Sequence, residues 1–150
     1  MAIRNILKDD EPTLRKVCRP VTDFDERLGQ LLDDMAETMY AANGVGLAGP
    51  QVGILRRLFV MDVGEGLIEA INPEIIEQSG KQTDTEGCLS FPNRWGQVTR
   101  PKKVKLKAQD RYGKWFIITA TDLLARCICH ENDHLNGVVF LDHATDIETK

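Results

Sequence analysis

Apolar residues recur along this chain with two distinct periods. Leu28, Leu31, Leu32, Met35 and Met39 repeat at spacings of three and four, which marks one face of an amphipathic helix. Just before them, Asp23-Phe24-Asp25-Glu26 offers an acidic N-cap with a glutamate three positions on, in the manner of a capping box. The stripe runs to Asn43, and a methionine–leucine stripe at this spacing is far more often core than binding surface. A shorter helix is expected over residues 11–18. Thr121 is placed to cap a second long helix, in which Leu123, Leu124, Cys127 and Ile128 form a buried stripe. Asn136-Gly137 closes that helix. Strands are expected at residues 55–63 and 67–72 around a Gly64-Glu65-Gly66 turn. Residues 74–78 alternate weakly. Residues 104–109 and 115–119 predict a hairpin around Asp110-Arg111-Tyr112-Gly113-Lys114, and residues 138–141 a last short strand. The order of elements predicts an α+β fold in a single domain spanning residues 1–150, with antiparallel or mixed sheet segments.

Composition narrows the class of protein. With 150 residues the chain can bury a real core in one domain. The net charge is −4 with no block of basic residues, which gives no indication of direct nucleic-acid binding. No stretch approaches the roughly 20 apolar residues of a membrane span, and the N-terminus has no leader pattern. There are 4 cysteines. Cys127 and Cys129, two apart on a helix, point in different directions and do not pair easily, so reduced thiols in a cytoplasm are expected.

The predicted second helix carries His130-Glu131-Asn132-Asp133-His134. Two histidines four apart stack on one helical face and can reach one metal ion, with Glu131 beside them to handle the proton of a bound water. The motif alone also occurs on ordinary surface helices. Here, continuing the period of the apolar stripe turns His130, Glu131 and His134 inward, where they need polar partners. The third ligand is not obvious. In the pattern H-E-x-x-H-x-x-G-x-x-H, Gly137 fits but Phe140 stands where the third histidine belongs, and His143 comes three positions too late. A downstream glutamate would have to be Glu148, almost at the terminus. Upstream, Cys88 in Glu86-Gly87-Cys88-Leu89-Ser90 could complete a site with two histidines and one thiolate, leaving a fourth position open. It could equally be a small buried hydrophobe, as most free cysteines are. A third block, Gly44-Val45-Gly46-Leu47-Ala48-Gly49-Pro50-Gln51, lacks a phosphate-loop register. Gly44 reads as a helix C-cap, but Gln51 has no such explanation. Its amide could stabilise an oxyanion.

Taken together the three blocks resemble the peptide deformylase family, marked in order by G-x-G-L-A-x-x-Q, E-G-C-L-S and H-E-x-D-H. The resemblance spans nearly the whole chain. Gly49 stands where alanine is more usual, a loss of one methyl group, and Cys129 where many relatives have glutamine. The resemblance implies a fold with the H-E-x-x-H helix held between sheet segments. It implies Cys88, His130 and His134 as ligands of one divalent metal, iron(II) in the cell, with zinc, nickel or cobalt able to occupy the site. It further implies that a metal-held water attacks the formyl carbon of formyl-methionyl nascent peptides. Glu131 would act as general base, and Gln51 and the Leu89 N–H would stabilise the oxyanion. Val45, Gly46, Gly87, Leu123, Arg126 and Cys127 fall at positions lining the substrate pocket. Arg126 would lay its methylenes along that pocket with its guanidinium reaching water, or else be a solvated helix arginine. Glu86 and Arg100 fit the family's charge pair. The ribosome exit region is a candidate partner. The seven residues Ala144 to Lys150, however, are too few for the long C-terminal helix through which some relatives dock. Two other functions use the same residues: a peptidase built on the same metal and Glu131, or a non-catalytic zinc-stabilised protein closed by Cys129. The helical direction of Cys129, about 100° round from His130, argues against the latter.

Overall fold

The computed structural model describes residues 2–149. Helix α1 (Glu26–Ala41) begins at Asp25, whose carboxylate accepts the Leu28 N–H at 3.1 Å. The cap is therefore Asp25 rather than Asp23, and Glu26 is already the first helical residue, so no capping box forms there. Leu28, Leu31, Leu32, Met35 and Met39 are buried as their spacing predicts. At the helix end the left-handed position is taken by Asn43 (φ 57°), not by Gly44. Asparagine tolerates that conformation better than most residues. Gly44 is needed for another reason, since a Cβ there would fall 2.6 Å from Leu89 Cδ1.

Strands β1 (Gly46–Ala48), β2 (Leu58–Met61), β3 (Ile68–Ser79), β6 (Lys103–Gln109) and β7 (Trp115–Thr121) form one five-stranded sheet in the order β1-β2-β3-β6-β7. Strands β4 (Gln82–Cys88), β5 (Phe91–Arg100) and β8 (Thr145–Thr149) form a second sheet in the order β4-β5-β8. Every pairing of named strands is antiparallel. The weakly alternating residues 74–78 are the distal half of β3, which continues through register shifts between Ile71 and Glu74 and between Ile75 and Glu77. Helix α2 (Asp122–Leu135) starts at Thr121, whose side chain makes no capping bond, and ends at Gly137 with φ 73°, as the turn chemistry predicts.

Three further expectations give way. Residues 11–18 make only a 3₁₀ turn, Pro12–Arg15. The expected strand at residues 138–141 is instead a 3₁₀ turn, Phe140–Asp142. A short apolar run does not distinguish strand from turn by pattern alone. Phe140 is buried with its ring stacked on His130, centroids 6.0 Å apart. Leu123 is half exposed rather than core. The rest of the α2 stripe, with Cys127, Ile128 and Cys129, packs on the large sheet among Phe59, Met61, Leu106 and Ala120. That packing drives the opposite, polar edge of α2 toward β4 and β1, where the site lies.

Candidate functional site

His130 and His134, one helical turn apart, lie with ring centroids 5.1 Å apart. Cys88 ends β4 at the turn into β5, and its Sγ lies 3.4 Å from His134 Nε2. One ligating atom from each of Cys88, His130 and His134 fits within 4.8 Å of the other two, and this is the only such group of three or more found among the described residues. Cys129 is not part of it. His143 is exposed and sits 3.5 Å from Asp133 Oδ2, and Glu148 is exposed on β8. The downstream candidates are thus outside the site.

The orientation of His130 is set from behind. Its Nδ1 is 2.6 Å from Glu86 Oε1, which turns Nε2 toward the cluster. Such a carboxylate partner fixes both tautomer and ring direction of a ligating histidine. Glu86 is itself held by Arg100 (2.9 Å to Oε1) and by Arg126 (2.6 Å to Oε2). Arg100 reaches on to Asp133 at 2.7 Å. Arg126 also donates to the Val98 carbonyl at 3.0 Å and is only 5% exposed. Its guanidinium therefore does not reach water, and it is not a solvated helix arginine. It is a second cation on the buried Glu86. Burial alone would raise Glu86, but hydrogen bonds from His130 and Arg100 outweigh it and hold the carboxyl well below the usual range.

Glu131 is 4% exposed, its Oε2 4.0 Å from His130 Nε2 and its Oε1 buried without a hydrogen-bond partner. A buried carboxylate with an unused oxygen is costly unless a ligand completes it. Burial pushes Glu131 up to about 7. Burial also pulls His130 down, but Glu131, Cys88 and Glu86 outweigh it and hold a proton there well above the ordinary imidazole range. His134 is held well below that range by burial and by the charge of His130. His130 thus holds a proton between the buried carboxyls of Glu131 and Glu86, beside the Cys88 sulfur. A divalent cation at the three donors would take that proton's place, which is how metal binding couples to ligand ionisation. The donor set suits zinc or iron(II).

The cluster opens into a cavity of about 540 Å³ lined by Gln51, Cys88, Leu89, His130 and Glu131 and by each residue expected at the substrate pocket: Val45, Gly46, Gly87, Leu123, Arg126 and Cys127. His134 lies beneath, fully buried. Strand β1 passes so close over α2 that a Cβ on Gly46 would fall 2.5 Å from Glu131 Oε2 and 2.9 Å from Cys127 Sγ. Gln51 sits in a 3₁₀ turn (Gly49–Val52) with both ends of its amide engaged. Oε1 accepts the Ala48 N–H at 2.9 Å, and Nε2 donates to Ser90 Oγ at 3.0 Å and toward Cys88 Sγ at 3.6 Å. Gly49 is not a trivial loss of a methyl group, because a Cβ there would meet the Ile54 carbonyl oxygen at 2.6 Å. Thr85, Asn93, Arg94 and Trp95 also line the cavity. No motif pointed to them, since they come together only through the β4–β5 pairing.

A half-buried thiol and two buried imidazoles with a carboxylate beside them, at the floor of an open cavity, define a metal-dependent hydrolase. The family model described as Polypeptide deformylase matches residues 3–150. The chain is 59% identical over 148 residues to "Peptide deformylase 1" of Clostridium acetobutylicum, covering 99% of both chains. The crystal structure of peptide deformylase from Thermotoga maritima superposes with a TM-score of 0.94 at 45% identity, over 95% of this chain and 98% of that one. That from Legionella pneumophila does so with a TM-score of 0.93 at 47% identity, over 96% and 87%. The chain belongs to the polypeptide deformylase family. It is a metal-dependent enzyme that removes the formyl group from nascent peptides.

Proposed function

We propose that the substrate is the formyl-methionyl end of the nascent peptide and that Cys88, His130 and His134 hold one divalent ion. The observation that carries this is the convergence of those three donors, one from β4 and two from α2, beside the unpartnered Oε1 of Glu131. Iron(II) is the ion we assign in the cell, with zinc, nickel or cobalt able to occupy the same donors; a thiolate with two imidazoles supports that range. When bound, the ion supplies an acidified water and polarises the formyl oxygen. Glu131 takes the proton of the attacking water on its carboxylate and passes it to the departing amine nitrogen. Gln51 Nε2 and the Leu89 N–H donate to the oxygen on which charge develops. Val45, Gly46, Gly87, Leu123 and Cys127 wall the methionine side chain, and Arg126 contributes its stem while its head stays on Glu86. The chain forms a single catalytic domain. The cytoplasm is the proposed compartment, supported by four cysteines that are all free; no described helix is long and apolar enough to cross a membrane. The ribosome exit region, where formylated chains emerge, is the proposed setting.

The direct test is formate release from a formyl-Met tripeptide, with the acetyl-Met peptide as control and bound metal assayed alongside. Formate from the first and no cleavage of the second is expected. A protein with stoichiometric metal that releases no formate would overturn the assignment.

The role of Gln51 has its own test. Gln51→Leu would strip a buried partner from the Ala48 N–H and so confound function with stability. Gln51→Glu keeps the size and the acceptor for Ala48 but removes the donor. We expect metal retention and a kcat lower by roughly 10²–10³-fold, the cost of losing one oxyanion donor. An unchanged kcat with a raised KM would mean that Gln51 binds only the ground state.

A further inference from the structure

The two sheets leave four edges, β1 and β7 in the large sheet and β4 and β8 in the small one. A bare edge offers unpaired N–H and C=O groups to another strand, and charge, proline, bulges or shortness ordinarily discourage that pairing. Three of the edges have such protection. β1 is three residues long, β4 carries Asp84 and Glu86, and β8 carries Asp146 and Glu148. β7 has none. Its seven residues, Trp115-Phe116-Ile117-Ile118-Thr119-Ala120-Thr121, contain no charge, proline or glycine, in a chain that is 28% charged. They pair with β6 without a register shift. Trp115 and Ile117 stand 50% and 56% exposed on the outer face.

The ends of β7 reveal which of its backbone groups are free. The Asp110 N–H donates to the Lys114 carbonyl at 2.9 Å, and the Asp122 N–H donates to the Lys102 carbonyl at 3.1 Å. Even-numbered residues of β7 therefore bond to β6. Trp115, Ile117, Thr119 and Thr121 turn their N–H groups outward, where no strand pairs with them among the described residues. Apart from β6, α2 is the one described element with substantial contact to β7. It lies over the inner face, where Phe116 and Ile118 pack into the core with Ala125 and Ile128.

We infer that β7 pairs antiparallel with the β7 of a second copy of this chain, joining the two large sheets into one across a two-fold axis at Ile118. That register pairs the whole strand. It sets Ile117 opposite Thr119 and Trp115 opposite Thr121 of the copy, which are the residues with outward amides, and Phe116 opposite Ala120 on the inner face. Just beyond the strand it sets Lys114 opposite Asp122, twice over because the interface is isologous. Lys114 is exposed and has no ion pair among the described residues, and Asp122 is exposed with Lys102 beside it. The charge match selects a second copy as the occupant, since an unrelated extended peptide has no reason to carry opposite charges at those two positions. The seam is about 24 Å long, at about 3.4 Å per residue. It is small for a dimer, so a dissociation constant on the order of 10–100 µM is expected.

The test is sedimentation velocity of the zinc-loaded enzyme from roughly 5 to 500 µM, a range that brackets such an affinity. A concentration-dependent shift from monomer to dimer is expected. Amide exchange should slow with concentration at Trp115, Ile117 and Thr119, and change little at the even-numbered amides that already bond to β6. Ile117→Glu faces Lys107 within the monomer but sets two carboxylates across the axis, and should stay monomeric throughout. Lys114→Glu sets like charges opposite each other and should weaken dimerisation by roughly three- to tenfold, as two pairs change sign. Formate release at nanomolar enzyme should match wild type in both variants, which shows that they fold. A wild-type chain that is monomeric at the highest concentration would overturn the inference, and so would undiminished dimerisation of Ile117→Glu. A dimer indifferent to Lys114→Glu would break the register and the inference with it. Protection of the outward amides only on adding a neutral extended peptide would also overturn it, making the edge a peptide site.

Discussion

Glu131→Gln keeps its metal and loses roughly 10²–10⁴-fold in turnover, the range that a positioned general base contributes. The change leaves Cys88, His130 and His134 untouched and nearly conserves volume in a site where Gly46 allows no slack. It removes only the capacity to accept a proton. The pH profile provides a second readout. Burial is the main cause that pushes Glu131 up to about 7, and a divalent cation close by draws a carboxyl down from there. A base works only when deprotonated, so wild-type kcat/KM falls as pH drops through a value below 7, and that limb should vanish in the variant. Formate release at near wild-type rate, or an unaltered acid limb in the variant, would remove Glu131 from the role of base.

Cys88→Ala should weaken metal binding by more than the 10–100-fold that loss of an outer hydrogen-bonding partner costs, while Cys18→Ala and Cys129→Ala hold it. Only Cys88 brings a sulfur to 3.4 Å from a ring nitrogen of the pair. Burial pushes the thiols of Cys18 and Cys129 up to about 11, so neither is poised to ligate. Metal content by atomic spectroscopy after dialysis against a weak chelator reads the outcome. Equal retention by the Cys88 and Cys129 variants would break the ligand set. Cys127 is a poor control, since its Sγ packs against Gly46 and lines the cavity.

The strands that carry the third ligand illustrate what a hydropathy pattern misses. Residues 82–100 gave no strand signal, yet they form β4 and β5. The buried position of β4 is Glu86, and β5 buries Gly96 and Arg100 beside Val98. With Phe91 and Val98 the only apolar side chains buried on these two strands, and an ion pair and a glycine at the other buried positions, the run does not alternate apolar with polar. The same network hid Arg126. On a helical wheel it is one charged residue among others, and only the fold reveals that Glu86, forty positions upstream, needs a second cation in addition to Arg100.

By itself the sequence determined the two long helices, the hairpins with their turn residues, and the pairing of His130 with His134 on one inward face. Each of these follows from the period of a single element, which the order of residues encodes directly. The tertiary structure decided which cysteine meets the histidines, why Gly44, Gly46 and Gly49 must lack a side chain, and where the head of Arg126 goes. Those outcomes are set by the close approach of elements far apart in the chain: Leu89 against Gly44, Glu131 against Gly46, Ile54 against Gly49, Glu86 against Arg126. Such approaches depend on how whole faces pack, and local spacing does not encode them.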